Sequence, residues 1–173
     1  MMTAGETKID VVTDLAEAPG WIDMKRDYLR FAVARHQDAT GQVIDPEEQL
    51  QHTVAQIDEF LGPDGRFIVA RGPDGDLIGM VLLHRLANGK GEIKRLFVSP
   101  EARGMGLARR LMKRLETEAR EMNLSVLYLD TSSGLREAIA FYRSLGFQDA
   151  PFDQASVQDP EIARHLVIME KRL

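Results

Sequence analysis

The sequence predicts an α/β chain built on one mixed, mostly antiparallel, twisted sheet of about six to seven strands flanked by about four helices. Three observations carry this. Two apolar runs, Arg66 to Arg71 and Asp76 to Leu86, flank the turn Gly72-Pro73-Asp74-Gly75, and Asn88-Gly89 leads on into Gly91 to Val98, so antiparallel strands follow one another. The last of them runs through a turn bearing proline and glycine, Ser99 to Gly106, straight into a long amphipathic helix. Strand and helix patterns then alternate to the end of the chain.

In order along the chain, Thr7 to Val12 alternate as a first strand, and Ala18-Pro19-Gly20 precede a helix from Trp21 to about His36. Trp21, Met24, Tyr28 and Phe31 fall near one face of it, a stripe expected to pack in the core. Asp45-Pro46-Glu47-Glu48 is a cap, a proline at the first helical position and an acidic first turn; Leu50, Val54, Ile57 and Leu61 continue that helix to Gly62. The two Gly-Pro-Asp-Gly copies, at 62–65 and 72–75, read as punctuation and not as a repeat. Leu107, Leu111, Leu115, Ala119 and Met122 form the apolar face of the long helix. Leu124 to Asp130 is a strand, Arg136 to Gly146 a helix and His165 to Leu173 a last strand. No linker or low-complexity tract interrupts residues 1–173, which are expected to form one domain.

The composition, 44% hydrophobic and 28% charged, is that of a soluble globular protein, and no apolar run reaches the roughly 20 residues that span a bilayer. The amino end does not read as a signal peptide, so a cytoplasmic location is expected. Without cysteine there is no disulfide framework, thiolate nucleophile or cysteine-ligated zinc. A net charge of −5 argues against nucleic-acid partners and is compatible with a cationic substrate.

Gly104 and Gly106 stand where a helix must begin, although glycine costs about 1 kcal/mol per helical position. A strand that enters a helix through such a turn presents unpaired backbone N–H groups and the positive end of the helix dipole, which together suit an anion. Glycine lets that backbone approach a phosphate closely. Neither the P-loop pattern nor the full dinucleotide fingerprint is present. The glycine pair alone is equally compatible with a tight turn that binds nothing.

Context favours a ligand. Glu101-Ala102-Arg103-Gly104-Met105-Gly106, preceded by the strand Ile93 to Val98, resembles the Q/R-x-x-G-x-G/A motif of the GCN5-related N-acetyltransferase (GNAT) superfamily, with Glu at its first position. Ala138-Ile139-Ala140-Phe141-Tyr142, followed by Gly146-Phe147, is similar to the family's second block; Leu135 stands where many relatives carry asparagine. The resemblance covers nearly the whole chain. It implies a sheet with splayed central strands and acetyl-CoA as cosubstrate. The pyrophosphate would lie on Arg103, Gly104, Met105, Gly106, Leu107 and Ala108, and the pantetheine along Leu96, Phe97 and Val98, with Ala138 and Tyr142 beside it.

Acyl transfer to an amine through a tetrahedral intermediate needs a neutral nucleophile, a stabilised oxyanion and a proton for the leaving thiolate. An amine with pKa near 10 is neutral in about one molecule in a thousand at pH 7, a burden of roughly 4 kcal/mol. The resemblance places a carboxylate at Glu92 as general base, read otherwise as an ordinary glutamate at a strand start. Lys94 shares its face and either pairs with Glu92 or binds a substrate carboxylate. Tyr142, a phenol protonated at pH 7 that the resemblance places near the sulfur, is assigned as the acid, read otherwise as a plain packed tyrosine, with the Val98 N–H at the oxyanion. His36, His52, His84 and His165 have no metal spacing, so no metal is expected; Ser132 and Ser133 read as a helix cap.

By the same resemblance, substrate contacts fall to Tyr28 to Gln37, Tyr28 foremost, with Lys94, and to the loop Ala150 to Glu161. Arg30 and Arg35 suit an acidic group, and Asp153, Asp159 and Glu161 a cation. The expected acceptor is a small-molecule amine, amino-acid-like or another metabolite. The alternatives are a protein lysine or amino terminus, or a non-catalytic module that senses acyl-CoA. No membrane partner is expected, and a homodimer is compatible with the sequence.

Overall fold

The computed structural model describes residues 7–156 and 160–173, so the predicted role of Asp159 lies outside the described residues. The strands are β1 (Lys8–Val12), β2 (Gly65–Arg71), β3 (Leu77–Arg85), β4 (Gly91–Val98), β5 (Val126–Ser132), β6 (Gln148–Asp149) and β7 (Leu166–Arg172). The helices are α1 (Trp21–Thr40), α2 (Pro46–Gln56), α3 (Leu107–Glu121), α4 (Arg136–Ser144) and the short α5 (Pro160–Ala163). One sheet of seven strands has the order β1-β2-β3-β4-β5-β7-β6.

Period-two alternation divides the apolar residues of the central strands between two cores. Ile68, Val81 and Leu83 pack with Leu107, Leu111 and Leu115 of α3 and with Tyr142 of α4. Phe67, Val69, Met80 and Leu82 face the other way, onto Trp21 and Met24 of α1 and onto Ile57 and Phe60, which form a 3-10 turn after α2. Strands β1 to β4 are successively antiparallel, and β5 pairs antiparallel with β7. Among the described residues the strands of the two halves pair where Gly91, Glu92 and Ile93 run parallel to Leu127, Tyr128 and Leu129. The splayed central strands are therefore present.

Three local readings are corrected, and a fourth feature had no sequence signal. Helix α1 continues beyond His36 to Thr40, where Gly41 in the left-handed region closes it; its polar last turn carries no apolar period. The aromatic stripe is core only at its start, since Trp21 and Met24 are buried whereas Phe31 is 42% exposed. Ser132 and Ser133 do not cap α4, whose N-cap is Leu135; the Ser132 hydroxyl lies 2.7 Å from His36 Nδ1 instead. Finally, β4 carries a bulge. Leu82 pairs with Lys94 and Met80 with Phe97, leaving Arg95 and Leu96 opposite Val81 alone, with Arg95 at φ +61°.

Candidate active site

Beyond Ile93 and Leu129 the ladder between β4 and β5 stops, and a groove opens between the strands. Leu96, Phe97 and Val98 form one wall, Tyr28 and Phe31 of α1 another, and Ala138 and Tyr142 of α4 a third. The groove runs into the turn before α3, because Val98, Arg103 and Ala108 line both the groove and a hollow over Gly104, Gly106 and Leu107. Of the predicted cofactor residues only Met105, half-buried, lines neither.

The turn has the properties its sequence implied. Gly104 and Gly106 lie at φ +78° and +72°, the left-handed region that favours glycine, and a Cβ at either would meet nothing within 4 Å. Gly106 is the N-cap of the 15-residue α3, and no side chain caps it, so the first N–H groups of the helix face the hollow without an internal acceptor. The guanidinium of Arg103 lies 5.5 Å from the Phe31 ring, and its Nε donates to the Val98 carbonyl at 3.2 Å. Arg109 also lines the hollow. Arg110 donates to the Thr7 carbonyl at 3.0 Å. Arg35, expected to read an acidic substrate, pairs with Glu137 at 2.9 Å across the groove.

Tyr142 is 8% exposed, and its ring packs edge-on against Phe147. Its hydroxyl makes no hydrogen bond among the described residues. Burial, joined by the nearby Tyr28 and Asp130, pushes its pKa far above the ordinary phenol value.

A second pocket adjoins the groove, with which it shares Tyr28, Thr131 and Leu135. Lys94 and Arg95 of β4, Asp130 of β5, His36 of α1 and Gln49 of α2 also line it. His36 bridges two neighbours, with Nδ1 2.7 Å from the Ser132 hydroxyl and Nε2 2.8 Å from the Gln42 side-chain oxygen. The sequence reading passed over Asp130 and Arg95. A carboxylate at a strand end and an arginine within a strand carry no local signal.

Glu92 does not line either cavity. It is 1% exposed and fully engaged: His84 Nε2 at 2.8 Å, Lys94 Nζ at 3.2 Å, and the hydroxyl of Ser156, which folds over it from the loop after β6. Burial pushes its carboxyl up, but the His84 hydrogen bond, the Lys94 charge and Ser156 together bring it below the ordinary carboxylate value. Lys94 therefore pairs with Glu92 as one of its two readings had it. The same loop is pinned by Asp153 to Lys90 at 3.0 Å. Among the described residues no cluster of His, Asp and Glu is arranged to hold a metal ion, and no helix is long and apolar enough to cross a membrane.

Lys25 of α1 is fully buried, 4.6 Å from the Tyr28 ring, and its Nζ has no hydrogen-bond partner. Burial, then the charges of Arg95 and Lys94, hold its pKa well below the ordinary lysine value. An unsatisfied buried donor costs about 1–3 kcal/mol. Lys25→Met should therefore raise the urea midpoint without changing the m-value, and a lowered midpoint would show that the amine is satisfied in solution.

The chain matches the acetyltransferase (GNAT) family over residues 21–147. An IAA acetyltransferase of Azospirillum brasilense is 46% identical over 92 residues, 52% of this chain and 60% of its own length. The N-alpha-acetyltransferase RimI of Mycobacterium tuberculosis is 33% identical over 93 residues, 52% of this chain and 56% of its own. The chain thus spans little more than half the length of these curated relatives. Among solved structures, that of the PaiA N-acetyltransferase from Thermoplasma acidophilum in complex with coenzyme A is similar with a TM-score of 0.72 at 20% identity, over 96% of this chain and 99% of that one.

Proposed function

Because the chain belongs to the acetyltransferase (GNAT) family, we propose that it transfers the acetyl group of acetyl-CoA to the primary amine of a small molecule, amino-acid-like or another metabolite. The observation that carries this reading is the continuity of three spaces. The hollow over Gly104 and Gly106 opens into the groove that holds Tyr142, and the groove adjoins the pocket of Lys94, Arg95 and Asp130. An anion at the start of α3, a thin chain along β4 and an acceptor beside β5 would then meet at the tyrosine. Walls from α1, α2, β4, β5 and the segment of Ile162 and Leu166 support a small acceptor over a protein tail.

Acetyl-CoA supplies the activated acyl group, and the chain's own residues do the rest. The N–H groups of the glycine turn hold the pyrophosphate. Main-chain N–H groups at the end of β4, Val98 foremost, meet the oxyanion, and Tyr142 gives its proton to the leaving sulfur. Two carboxylates compete to take the proton of the ammonium. Glu92, the expected base, is ionised but enclosed, so its influence passes through Lys94. Asp130 stands on the pocket wall, close enough to Tyr142 and Tyr28 to raise both phenols.

Thiol release from acetyl-CoA across amines, amino acids, polyamines and peptides tests the reading; failure to bind acetyl-CoA would overturn it. With a reactive amine, Asp130→Asn should lower kcat/KM by about 10²-fold at pH 7, the loss shrinking as pH approaches the amine's own pKa. If Glu92→Gln shows that pH-dependent loss and Asp130→Asn does not, the base is Glu92.

A further inference from the structure

We propose that the acceptor amine also carries a carboxylate, which Arg95 binds. The proposal rests on the acetyl-transfer reading and narrows it from any small amine to an amino carboxylate.

Arg95 lines the acceptor pocket, half-buried, and makes no hydrogen bond or ion pair among the described residues. Its neighbours differ. Arg35 is matched by Glu137, Arg103 by the Val98 carbonyl and Lys94 by Glu92. A guanidinium has five N–H donors and cannot shed its charge, so leaving it partly desolvated and unmatched is costly unless a ligand completes it. Its planar fork suits the two oxygens of a carboxylate.

The backbone adds an independent observation. Arg95 and Asn123 are the non-glycine residues at positive φ among those described, and Arg95 sits in the bulge of β4 where the ladder with β5 has ended. Asparagine tolerates that conformation far better than arginine does. Bulges re-aim side chains, and strained backbone gathers where a function requires it. Without the bulge, strict alternation would place Arg95 on the opposite face from Glu92 and Lys94; with it, Lys94 and Arg95 line the same pocket.

The charges around the pocket complete the case. The buried Lys25 of α1, whose Nζ has no hydrogen-bond partner, feels the charges of both Arg95 and Lys94. An anion at Arg95 would relieve that repulsion. Asp130 lines the pocket from the facing strand, so the two ends of a zwitterion would find opposite charges on the two diverging strands. A second cationic centre, as in a polyamine, would meet Arg95 instead.

The test compares matched acceptors with the full-length protein and acetyl-CoA: amino acids, their primary amides and the corresponding decarboxylated amines. In the parent, kcat/KM for the best amino acid should exceed that of its amide by at least about tenfold, on the scale of a lost charged hydrogen bond. Arg95→Asn, chosen because asparagine accepts the same backbone conformation, should bring that ratio close to one, and Arg95→Lys should restore part of it. An unchanged melting temperature and acetyl-CoA affinity would show that Arg95→Asn still folds. Equal or better use of the amides by the parent, or a ratio untouched in Arg95→Asn, would overturn the inference while leaving acetyl transfer intact. If no probe reacts, calorimetric titration of the same amino acids in the presence of coenzyme A decides: binding lost in Arg95→Asn supports the inference, and no binding by any of them overturns it. Failure to bind acetyl-CoA would instead strike the parent reading.

Discussion

Tyr142→Phe should lower kcat by about 10²–10³-fold while the affinity for acetyl-CoA stays within about a factor of three. The ring remains packed between Phe141 and Phe147, so the change removes one hydroxyl and little else. An ordinary phenol near pKa 10 already gives its proton to a thiolate near 8.5 uphill, by about 2 kcal/mol. Burial raises the Tyr142 phenol further. The hydroxyl is therefore fully protonated at rest and, in the proposed mechanism, would donate to the charge that forms as the carbon–sulfur bond breaks. The sign of the pH dependence follows. A raised pKa keeps the active, protonated form through the alkaline range, so no falling limb of kcat below about pH 10 belongs to Tyr142. Steady-state profiles of parent and variant check both statements. An unaltered kcat in Tyr142→Phe would mean that solvent, not the phenol, protonates the sulfur.

Gly106→Glu should weaken acetyl-CoA binding by about 10²-fold or more while the protein still folds. A carboxylate about 5 Å from a phosphate charge at an effective dielectric constant near 20 costs roughly 3 kcal/mol, which accounts for that factor. Because a Cβ at Gly106 meets nothing, the new side chain occupies the space in front of the α3 N–H groups. Forcing a side chain into φ +72° costs about 1–2 kcal/mol, partly offset because acids near a helix N-terminus gain about 0.3–1 kcal/mol. Binding is thus hit harder than folding. Gly106→Asn, which tolerates the backbone and adds no charge, should lose much less affinity. Calorimetric titration of the two variants reads the difference, and equal binding by Gly106→Glu and the parent would remove the turn from the anion site.

What the sequence made legible was local. Gly72-Pro73-Asp74-Gly75 and Asn88-Gly89 set the hairpins because those residues favour turn conformations wherever they occur. The Arg103 to Ala108 turn was readable because a helix start and two glycines stand adjacent in the chain, and Tyr142 because a short motif holds it. The rest depended on partners far away. The burial of Glu92 is completed by Ser156, 64 residues on, and nothing near Glu92 announces that contact. Phe31 continues an apolar stripe perfectly, yet lies where α1 overhangs the groove, so periodicity read a groove wall as core. The bulge at Arg95 breaks the alternation that was used to count faces. Glu92 and Lys94, before it, kept the predicted relationship, while Arg95 and Asp130 joined the site through the geometry of two parting strands.

Those strands leave the sheet with an edge in its own middle. Unpaired strand edges are templates on which stray chains add, and proteins ordinarily blunt them at the rim with charges, prolines or a covering element. Here the free edges of β4 and β5 face each other under α1 and α4, flanked on both sides by paired neighbours. A foreign β-strand has no approach to them. A slender ligand of the proposed kind would have one, and the sheet could then recruit a transient, non-peptide member without exposing itself to permanent ones.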